Sequence, residues 1–528
     1  TINPKSFLEA TITHQQEKYE LPYKYLVGYT QQRDVLDSLY DPQGAVLRAG
    51  IWWETQYFRQ PDALSTLYYQ DTRTDHWNLS FDYTNQILPT NLIKIGARFY
   101  YWDMFNNGVN SRFKANAYIA TTGIAEYYKA YPYNAAIYIQ DKMEYSGMIA
   151  NIGVRAETYN FQSRYPLDRV NIFYPGISGP SIGNPATGDS KTHYIILPRL
   201  GVSFPVGEET AFRIQYGHFA SMPIFSHALS RRTFVGWSGY GNPNLEPKKT
   251  IQYEFGLQQV LDDNHRLDIA LYYNDRVTQI GLQRVASFTG ASNTDPAGFT
   301  DDNVPLYNYT TFENNAFGAS IGLEIIFEKL VFDNWSYRLS YSLSQTTDGN
   351  YGAQVIFPDN SRNYERRNYT GEFLSASDRT HNFRGLVQYK LNDGEGLSIF
   401  AFKPLENTIL SLTYTAQSGT PFTYITKFDL KDAVNNRRYP LESSFDFNAI
   451  KNFNLFGYKF ILGLRVMNLF NNKWLTPISD TDLINWVEYG ITMDNPGFDP
   501  LRKSYISAPF KTYRNIPRQA FITLGVSF

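Results

Sequence analysis

The stretch HWNLSFDYTNQILPTNLIKIGARFYYW, residues 76–102, decides the fold because its apolar and polar side chains alternate with a period of two. The apolar positions are Trp77, Leu79, Phe81, Tyr83, Ile93, Ile95, Ala97, Phe99 and Tyr101. Successive side chains of a strand point to opposite faces, so the pattern predicts an antiparallel hairpin that turns at Pro89-Thr90-Asn91. The opposite face carries Asp82, Lys94 and Arg98 and is too charged for an ordinary protein core. The two faces therefore need different surroundings.

Composition excludes several classes of protein. The 528 residues contain no cysteine, which rules out disulfides, a thiol nucleophile and Cys-ligated metal. The formal charge of −2 gives no electrostatic case for a nucleic-acid partner. Aromatic residues make up 16% of the chain, yet the mean hydropathy is −0.39 and no apolar run reaches the roughly 18 residues of a transmembrane helix. A large soluble β-protein and an outer-membrane β-barrel both fit these values.

Alternation along the whole chain predicts sixteen strands without domain linkers between them. They are residues 7–18, 76–88, 92–104, 134–145, 148–160, 193–205, 210–221, 249–261, 265–281, 314–330, 334–346, 380–391, 406–418, 443–455, 458–470 and 518–528. The chain starts at Thr1 without an initiator Met or a signal peptide, and we interpret it as a processed or truncated piece of a longer protein.

Connections between these strands alternate between short and long. The long segments are 19–75, 105–133, 161–192, 222–248, 282–313, 347–379, 419–442 and 471–517. Tight turns at one end and long loops at the other are typical of membrane barrels, which have short periplasmic turns and long extracellular loops. A compact soluble domain rarely holds loops of such length. The fold class predicted is therefore all-β, an antiparallel transmembrane β-barrel spanning residues 1–528 in the cell outer membrane.

The faces of the predicted strands agree with this assignment. In residues 335–344, apolar side chains from Trp335 to Leu343 alternate with Arg338 and four serines. A lipid-facing Arg or Lys at the bilayer midplane costs about 2–4 kcal/mol, and the mid-strand cations fall on the polar face. The last strand ends on Phe528, and a terminal aromatic residue is typical of the signal read by the barrel-assembly machinery.

Three motifs resemble the TonB-dependent outer-membrane transporters. The segment GYGNPNLEPKKTIQYEFGLQ, residues 239–258, is similar to the family's NPNL signature and the strand that follows it. The segment LRVMNLFNNKW, residues 464–474, is similar to the family's penultimate strand, and PRQAFITLGVSF to its last. The signature positions are Asn242, Pro243, Asn244, Leu245, Pro247, Tyr253, Glu254, Asn468, Leu469, Phe470, Asn471 and Phe528. The long loops resemble receptors with a carboxypeptidase-regulatory-like N-terminal domain, including Oar-like and SusC-like proteins.

The resemblance implies a 22-stranded barrel whose plug domain and first strands lie outside this chain. It implies active uptake of a bulky, scarce nutrient, such as an iron chelate, cobalamin, an oligosaccharide or a peptide, without catalysis or a cofactor. The implied partners are outer-membrane lipid, the TonB–ExbB–ExbD complex acting through the missing N-terminal part, and a lid lipoprotein or other surface subunit. Two alternatives stay open: a passive 16-stranded porin, and a barrel-anchored surface interaction or secretion-complex protein.

Candidate ligand-binding residues come from two long loops. Aromatic and cationic side chains suit sugar rings, aromatic chelates or anions. The candidates are Trp52, Trp53, Tyr57 and Arg59 in the first loop, and Arg231, Arg232 and Trp237 in the fourth. An aromatic girdle, a small loop core or ordinary solvation explains the same residues.

Charged residues elsewhere permit further interpretations. Acidic pairs in the loops, Asp301-Asp302 and Asp480 with Asp482, suit Ca²⁺, although a solvated loop explains them better. Seven cations fall on the polar face: Lys94, Arg98, Arg155, Arg213, Arg338, Arg384 and Arg465. They either guide anions or pair with a plug or with the acids Asp82, Glu157, Glu254 and Glu324. The sequence shows no catalytic triad on one face and no metal-ligand pattern.

Overall fold

A computed structural model gives the structure of the protein. It describes residues 4–21, 66–112, 122–167, 173–176, 179–182, 187–234, 238–287, 307–329, 334–351, 354–356, 369–400, 403–424, 434–474, 498–499, 504–505 and 515–527.

The described residues form β-strands and one short helix. The strands of the first half are β1 (Ser6–Leu21), β2 (Thr66–Leu88), β3 (Asn91–Arg112), β4 (Thr122–Ala130), β5 (Tyr133–Tyr145), β6 (Met148–Asn160), β7 (Arg164–Pro166), β8 (Phe173–Gly176), β9 (Gly179–Ile182), β10 (Thr187–Asp189), β11 (His193–Pro205), β12 (Thr210–Ser221), β13 (Arg231–Phe234), β14 (Ser238–Tyr240) and β15 (Lys248–Asp262). Those of the second half are β16 (His265–Ser287), β17 (Tyr307–Lys329), β18 (Trp335–Tyr351), β19 (Gln354–Ile356), β20 (Tyr369–Leu374), β21 (His381–Leu391), β22 (Thr408–Gln417), β23 (Pro421–Phe422), β24 (Arg437–Arg438), β25 (Glu442–Leu455), β26 (Tyr458–Met467), β27 (Phe498–Asp499), β28 (Ser504–Tyr505) and β29 (Gln519–Ser527). The helix α1 is Phe225–Leu229.

Sixteen of these strands build the wall, and each corresponds to a predicted strand. Their order is β1-β2-β3-β5-β6-β11-β12-β15-β16-β17-β18-β21-β22-β25-β26-β29, and every neighbouring pair is antiparallel. Among the described residues, β1 pairs only with β2 and β29 only with β26, so the sheet has two open edges. The prediction of an all-β antiparallel fold is confirmed.

The two faces of the wall differ as the alternation predicts. In the hairpin of β2 and β3, Phe81 lies opposite Ala97, and Asp82 lies opposite Gly96 on the other face. On the apolar side, which we call the outer face, large side chains are exposed, such as Ile137 at 64% and Ile522 at 77%. The polar side, which we call the inner face, encloses a cavity lined by eight strands from β3 to β17. No helix in the described residues is long and apolar enough to cross a membrane.

Tight turns lie at one end of the wall, which we call the short-turn end. Ser146 and Gly147 both have positive φ (46° and 86°), as do Phe456 and Gly457 (51° and 83°), which is the geometry of two-residue type I′ turns. The opposite end is the long-loop end. One connection at the short-turn end, between β21 and β22, is longer. There the Asn392 backbone N–H donates to Glu395 at 2.7 Å, and this bond holds the pKa of the Glu395 carboxyl below its usual value.

Candidate functional site at the long-loop end

A second set of strands crosses the long-loop end above the wall. Strand β13 pairs with β4, with Thr233 opposite Ala125, and also pairs with β14. Strand β14 pairs in parallel with the upper part of β17, with Ser238 opposite Tyr309, and β19 pairs with the upper part of β16. We call this set, β4, β13, β14, β19 and the upper parts of β16 and β17, the canopy.

Between the first hairpins and β17, the canopy contains fewer strands than the wall beneath it. In the wall, β6, β11, β12, β15 and β16 separate β5 from β17, whereas in the canopy only β13 and β14 separate β4 from β17. With neighbouring strands about 4.8 Å apart, the wall path measures roughly 29 Å and the canopy path roughly 14 Å. The upper ends of β4 and β17 are therefore drawn together, and the canopy narrows the mouth over this arc.

A twist in the hairpin of β16 and β17 makes this arrangement possible. In the wall β17 lies beside β18, but in the canopy its free edge pairs with β14, which precedes β15 in the chain. The edge of β16 likewise changes from β15 to β19. Register shifts between Arg276 and Gly281 mark the change, and bulges of this kind increase local twist. The hairpin thus turns over by about half a turn and exchanges the neighbours of its two strands.

The signature Asn-Pro-Asn lies directly beneath the canopy and connects distant strands. The amide Nδ2 of Asn242 donates to the Phe312 carbonyl at 3.0 Å, and its Oδ1 accepts from the Asn244 backbone N–H at 3.0 Å. Asn244 Oδ1 accepts from the Lys191 backbone N–H, just before β11, at 2.8 Å. The motif therefore spans from the β6–β11 side of the mouth to β17, in addition to leading into β15 as the sequence predicts.

Two further contacts complete this connection, which we call the clamp (residues 241–247). Leu245 is fully buried, and its carbonyl accepts the Tyr159 hydroxyl at 2.6 Å. The Glu246 backbone and the Asn314 side chain bond in both directions, at 2.8 and 3.0 Å. At Gly241 a Cβ would lie 2.6 Å from the Ala228 carbonyl oxygen, so only glycine allows the clamp to approach α1 this closely.

A small apolar core lies beside the clamp. Its buried members are Met104, Ala130, Tyr159, Phe161, Ala228 and Leu229, with Trp102, Tyr128, Met222 and Phe225 packed against them. The Phe225 ring meets the Trp102 ring edge-on at 5.2 Å between centroids. Side chains from β3, β4 and β6 thus pack against α1 and hold it beside the clamp.

His227 is one of the titratable groups of this region, which also include His193 and Tyr159. Its ring stacks on Phe312 with centroids 4.0 Å apart, and within the described chain its Nδ1 is buried without a hydrogen-bond partner. Burial, and secondarily the charge of Lys248, holds the pKa of the His227 imidazole below its usual value. The neutral ring is therefore favoured in the folded state.

The other side of the mouth is fixed by buried charges. Asp378, whose side chain is fully buried, accepts from the Thr346 backbone N–H at 2.6 Å, the Thr380 hydroxyl at 2.9 Å and Arg438 at 2.5 Å. Arg379 donates to Glu442 at 2.9 Å, and that carboxylate is only 2% exposed. We call these two ion pairs the charged anchor, which joins the long-loop ends of β18, β21, β24 and β25.

The predicted cations of the inner face fall into two groups according to whether they form an ion pair with a described residue. Arg155 pairs with Glu157, Arg213 with Glu254 at 3.0 Å, and Lys94 with Asp82 at 3.9 Å. Arg338 pairs at 3.5 Å with Glu328, which is not one of the four predicted partner acids. Within the described part of the chain, Arg98, Arg384 and Arg465 form no ion pair.

The predicted ligand-binding residues are only partly placed. Arg231 and Arg232 open β13, so their backbone crosses the mouth within the canopy. Trp52, Trp53, Tyr57, Arg59 and Trp237 lie outside the described residues, as do Phe528 and the acids Asp301, Asp302, Asp480 and Asp482. In the described ranges no three His, Asp or Glu side chains are grouped as metal ligands.

The second signature ends a strand. Asn468 and Asn471 have positive φ (50° and 54°), as expected of asparagines at a strand exit. The Asn468 backbone N–H donates to Asp446 at 2.8 Å, the Leu469 backbone N–H donates to the Phe445 carbonyl, and the Phe470 ring packs edge-on against Phe445. Of the remaining signature residues, Tyr253 lies on the outer face between Tyr216 and Tyr273, Glu254 pairs with Arg213, and Pro243 is fully buried.

Comparison with known proteins identifies the family. Residues 8–471 match the family profile described as "TonB dependent receptor-like, beta-barrel". Solved structures that resemble the chain include P. aeruginosa FpvA bound to heterologous pyoverdines (12% identity, 99% of this chain and 54% of that chain, TM-score 0.51). They also include the FpvAI–pyocin S2 complex (12%, 98% and 52%, 0.50) and the unliganded ferric citrate transporter FecA (12%, 88% and 56%, 0.49). No curated protein matches the sequence significantly.

The chain spans about half the length of the structures it resembles. Members of the matched family are β-barrel proteins of the outer membrane that act as receptors and transporters, not as enzymes. Because the profile covers most of the residues, the chain belongs to the TonB-dependent receptor family and contributes that family's β-barrel.

Proposed function

We propose that this chain is the barrel part of an outer-membrane transporter that takes up a bulky, scarce nutrient with energy supplied through TonB. The observation that carries the proposal is the family match over residues 8–471. The substrate class is one that such receptors bind at the mouth: an iron chelate, cobalamin, an oligosaccharide or a peptide. The missing strands and a plug domain would lie in a longer protein and would close the edges of β1 and β29.

The exposed outer face supports lipid as a partner. Ile12, Ile137 and Ile196 are each more than 60% exposed in the isolated chain, and burying such side chains in hydrocarbon is favourable. We assign the long-loop end to the extracellular medium and the short-turn end to the periplasm, as in other outer-membrane barrels. TonB–ExbB–ExbD, a lid lipoprotein and the barrel-assembly machinery are the proposed protein partners.

The canopy supports ligand recognition at the mouth. It narrows one arc of the long-loop end, and β13 carries Arg231 and Arg232 across that arc. Guanidinium groups recognise carboxylate and phosphate in bidentate geometry, so two arginines in this strand suit an anionic ligand. Trp52, Trp53, Tyr57, Arg59 and Trp237 are proposed to complete the site from the first and fourth loops.

An uptake assay tests the proposal. The native full-length protein is expressed in a Gram-negative host, and accumulation of a ferric chelate, cobalamin and a labelled oligosaccharide is measured with and without the host tonB gene. We expect at least one compound to accumulate only when TonB is present. Accumulation independent of TonB would favour the passive porin. Absence of accumulation, together with a stable protein partner in pull-downs, would favour the surface interaction protein.

The two arginines are tested in the same assay. Replacement of Arg231 and Arg232 by Gln is expected to lower uptake of an anionic compound about tenfold, since each lost charged contact weakens binding. Arg164→Gln is the control, because Arg164 lies at the same end, is 60% exposed and reaches Asp189 only at 3.9 Å. Equal effects of both changes would contradict the role of the canopy arginines.

A further inference from the structure

A diagonal row of inner-face residues crosses half of the wall without an acidic member. Each residue lies directly opposite the next in the ladder, from β3 to β17. Its polar side chains are Lys94, Gln140, Arg199, Gln252, Asn274 and Ser320. Two glycines, Gly153 and Gly217, flank Arg199 in the same row. We call this set the acid-free row.

The row coincides with the large inner cavity. All of its residues line that cavity, whose volume is about 1200 Å³. Lys94 lies three residues from the short-turn end of β3, while Ser320 lies nine residues from that end of β17. At about 3.3 Å per residue, the distance between the row and the short-turn end of its strands grows by roughly 20 Å from β3 to β17. The hydrocarbon thickness of a bilayer is about 30 Å. The row therefore extends through most of the depth of the wall.

Arg199 at the centre of the row is held in place but not neutralised. Its guanidinium lies 4.6 Å from the centroid of the Phe219 ring, and among the described residues it has no carboxylate partner. A Cβ on Gly217 would lie 2.9 Å from that ring, so glycine allows Phe219 to lie against the wall under Arg199. Stacking orients a guanidinium while leaving its N–H donors available.

Two of the three acids that line the cavity are already paired with cations outside the row. Of the three that line the cavity, Glu157 pairs with Arg155 and Glu254 with Arg213, while Glu324 lies on another row opposite Ala270. Five cations line the same cavity. Asp82, which is 3.9 Å from Lys94, also accepts the Tyr138 hydroxyl, and the Tyr138 ring lies next to Gly96. The excess positive charge is thus concentrated on Arg199 and Arg98.

We propose that the acid-free row is a binding track for carboxylate groups on the inner wall, centred on Arg199. Cationic and amide donors in one line suit the acceptor-only oxygens of a carboxylate. The carboxylates belong either to a solute that passes through the barrel or to acidic side chains of a protein segment that fills it. The biological meaning of the track rests on the proposed uptake function. The track adds to that function the charge of the group that is bound.

Binding to the purified full-length protein tests the track without any energy source. The probe is tricarballylate, a small tricarboxylate, titrated calorimetrically at low salt, and its neutral triamide is the ligand control. We expect tricarballylate to bind and the triamide not to bind. Arg199→Gln should weaken binding about tenfold, and Lys94→Gln less, because Asp82 already shares the Lys94 charge.

Arg338→Gln is the matched control, since Arg338 is an inner-face cation that pairs with Glu328 and does not line the cavity. It should leave binding unchanged within twofold. If tricarballylate does not bind but Arg199→Gln lowers the Tm of the full-length protein more than Arg338→Gln does, the carboxylates come from the protein itself. Equal effects of the two substitutions in both measurements would overturn the track. Energised uptake is measured separately, so loss of the track and loss of transport are distinguishable.

Discussion

The two sides of the mouth are fixed by different chemistry. On the β6–β17 side, the clamp uses backbone groups, asparagine amides and a buried leucine, and the Asn242 amide also donates to the Glu313 carboxylate at 3.3 Å. On the β18–β25 side, the charged anchor buries two carboxylates against two arginines. The stability of the first side should therefore depend on the shape and volume of its side chains, and that of the second side on charge.

The largest expected effect is on the charged anchor. Asp378→Ala would leave Arg438 without its carboxylate and the Thr346 backbone N–H without its acceptor. Because loss of one member of a buried pair leaves a charge uncompensated, we expect the local free energy of unfolding to fall by about 4 kcal/mol. Amide hydrogen exchange at Thr346 and along β20 measures the change. Asp189→Ala, an exposed carboxylate at the same end, is the control and should alter nothing.

The next largest loss of stability is expected at the clamp, and it should follow the volume of the buried side chain that is removed. Leu245→Ala removes a fully buried side chain, and such truncations cost about 3 kcal/mol. Exchange should accelerate at the Lys191 amide, which bonds to Asn244, while the amides of β20 stay protected. Leu397→Ala, at a side chain that is 69% exposed, serves as the control. Acceleration on both sides of the mouth would show that clamp and anchor unfold as one unit.

A smaller effect is expected at Gly241. The methyl group of Gly241→Ala would clash with the Ala228 carbonyl, so the clamp and α1 must separate at a cost of about 1–2 kcal/mol. Gly201→Ala is the matched control, because a Cβ there meets nothing within 4 Å. Thermal unfolding of the two variants in detergent gives the comparison. A lower Tm for Gly201→Ala than for Gly241→Ala would contradict the close approach.

The smallest expected effect is a pH dependence confined to the clamp side. The pKa of His227 is lowered in the folded protein, so as pH falls below about 6.5 the unfolded state takes up the proton first and local stability decreases. Exchange at the Asn242 amide, which bonds to the His227 carbonyl, should therefore accelerate between pH 7.5 and 5.5, after correction for intrinsic rates. The variant His227→Phe should lose most of this dependence, and a persistent dependence would assign it to another group beside the clamp, such as His193, which stacks on Tyr159.

Much of the wall was predictable because its signal is local. Alternation predicts all sixteen wall strands and places Arg155 and Glu157, which the structure pairs, on the same face. The canopy was not predictable, since β13 and β14 make only two or three residue pairs with strands that are distant in sequence. Such short pairings carry no periodicity to detect.

The candidate site was predicted in part for the same reason. The signature at residues 242–247 was found by resemblance, but its contacts with Tyr159, Lys191 and Asn314 depend on how strands far apart in the chain meet at the mouth. Asp378 was missed because an acid in a polar loop looks solvated in sequence, and only its three donors show that it is buried. Arg199 was missed because its strand has few charges to mark a pattern.

The exchange of neighbours in the hairpin of β16 and β17 has a consequence for protein engineering. Above its bulges this hairpin shares hydrogen bonds with β14 from the loop before β15 and with β19 from the loop after β18. A chimera that grafts only the β16–β17 loop onto another barrel would leave both of those pairings without a complementary edge. These three loops and β4, which pairs with β13, form a single transferable module, and the modular unit of this receptor is larger than one loop.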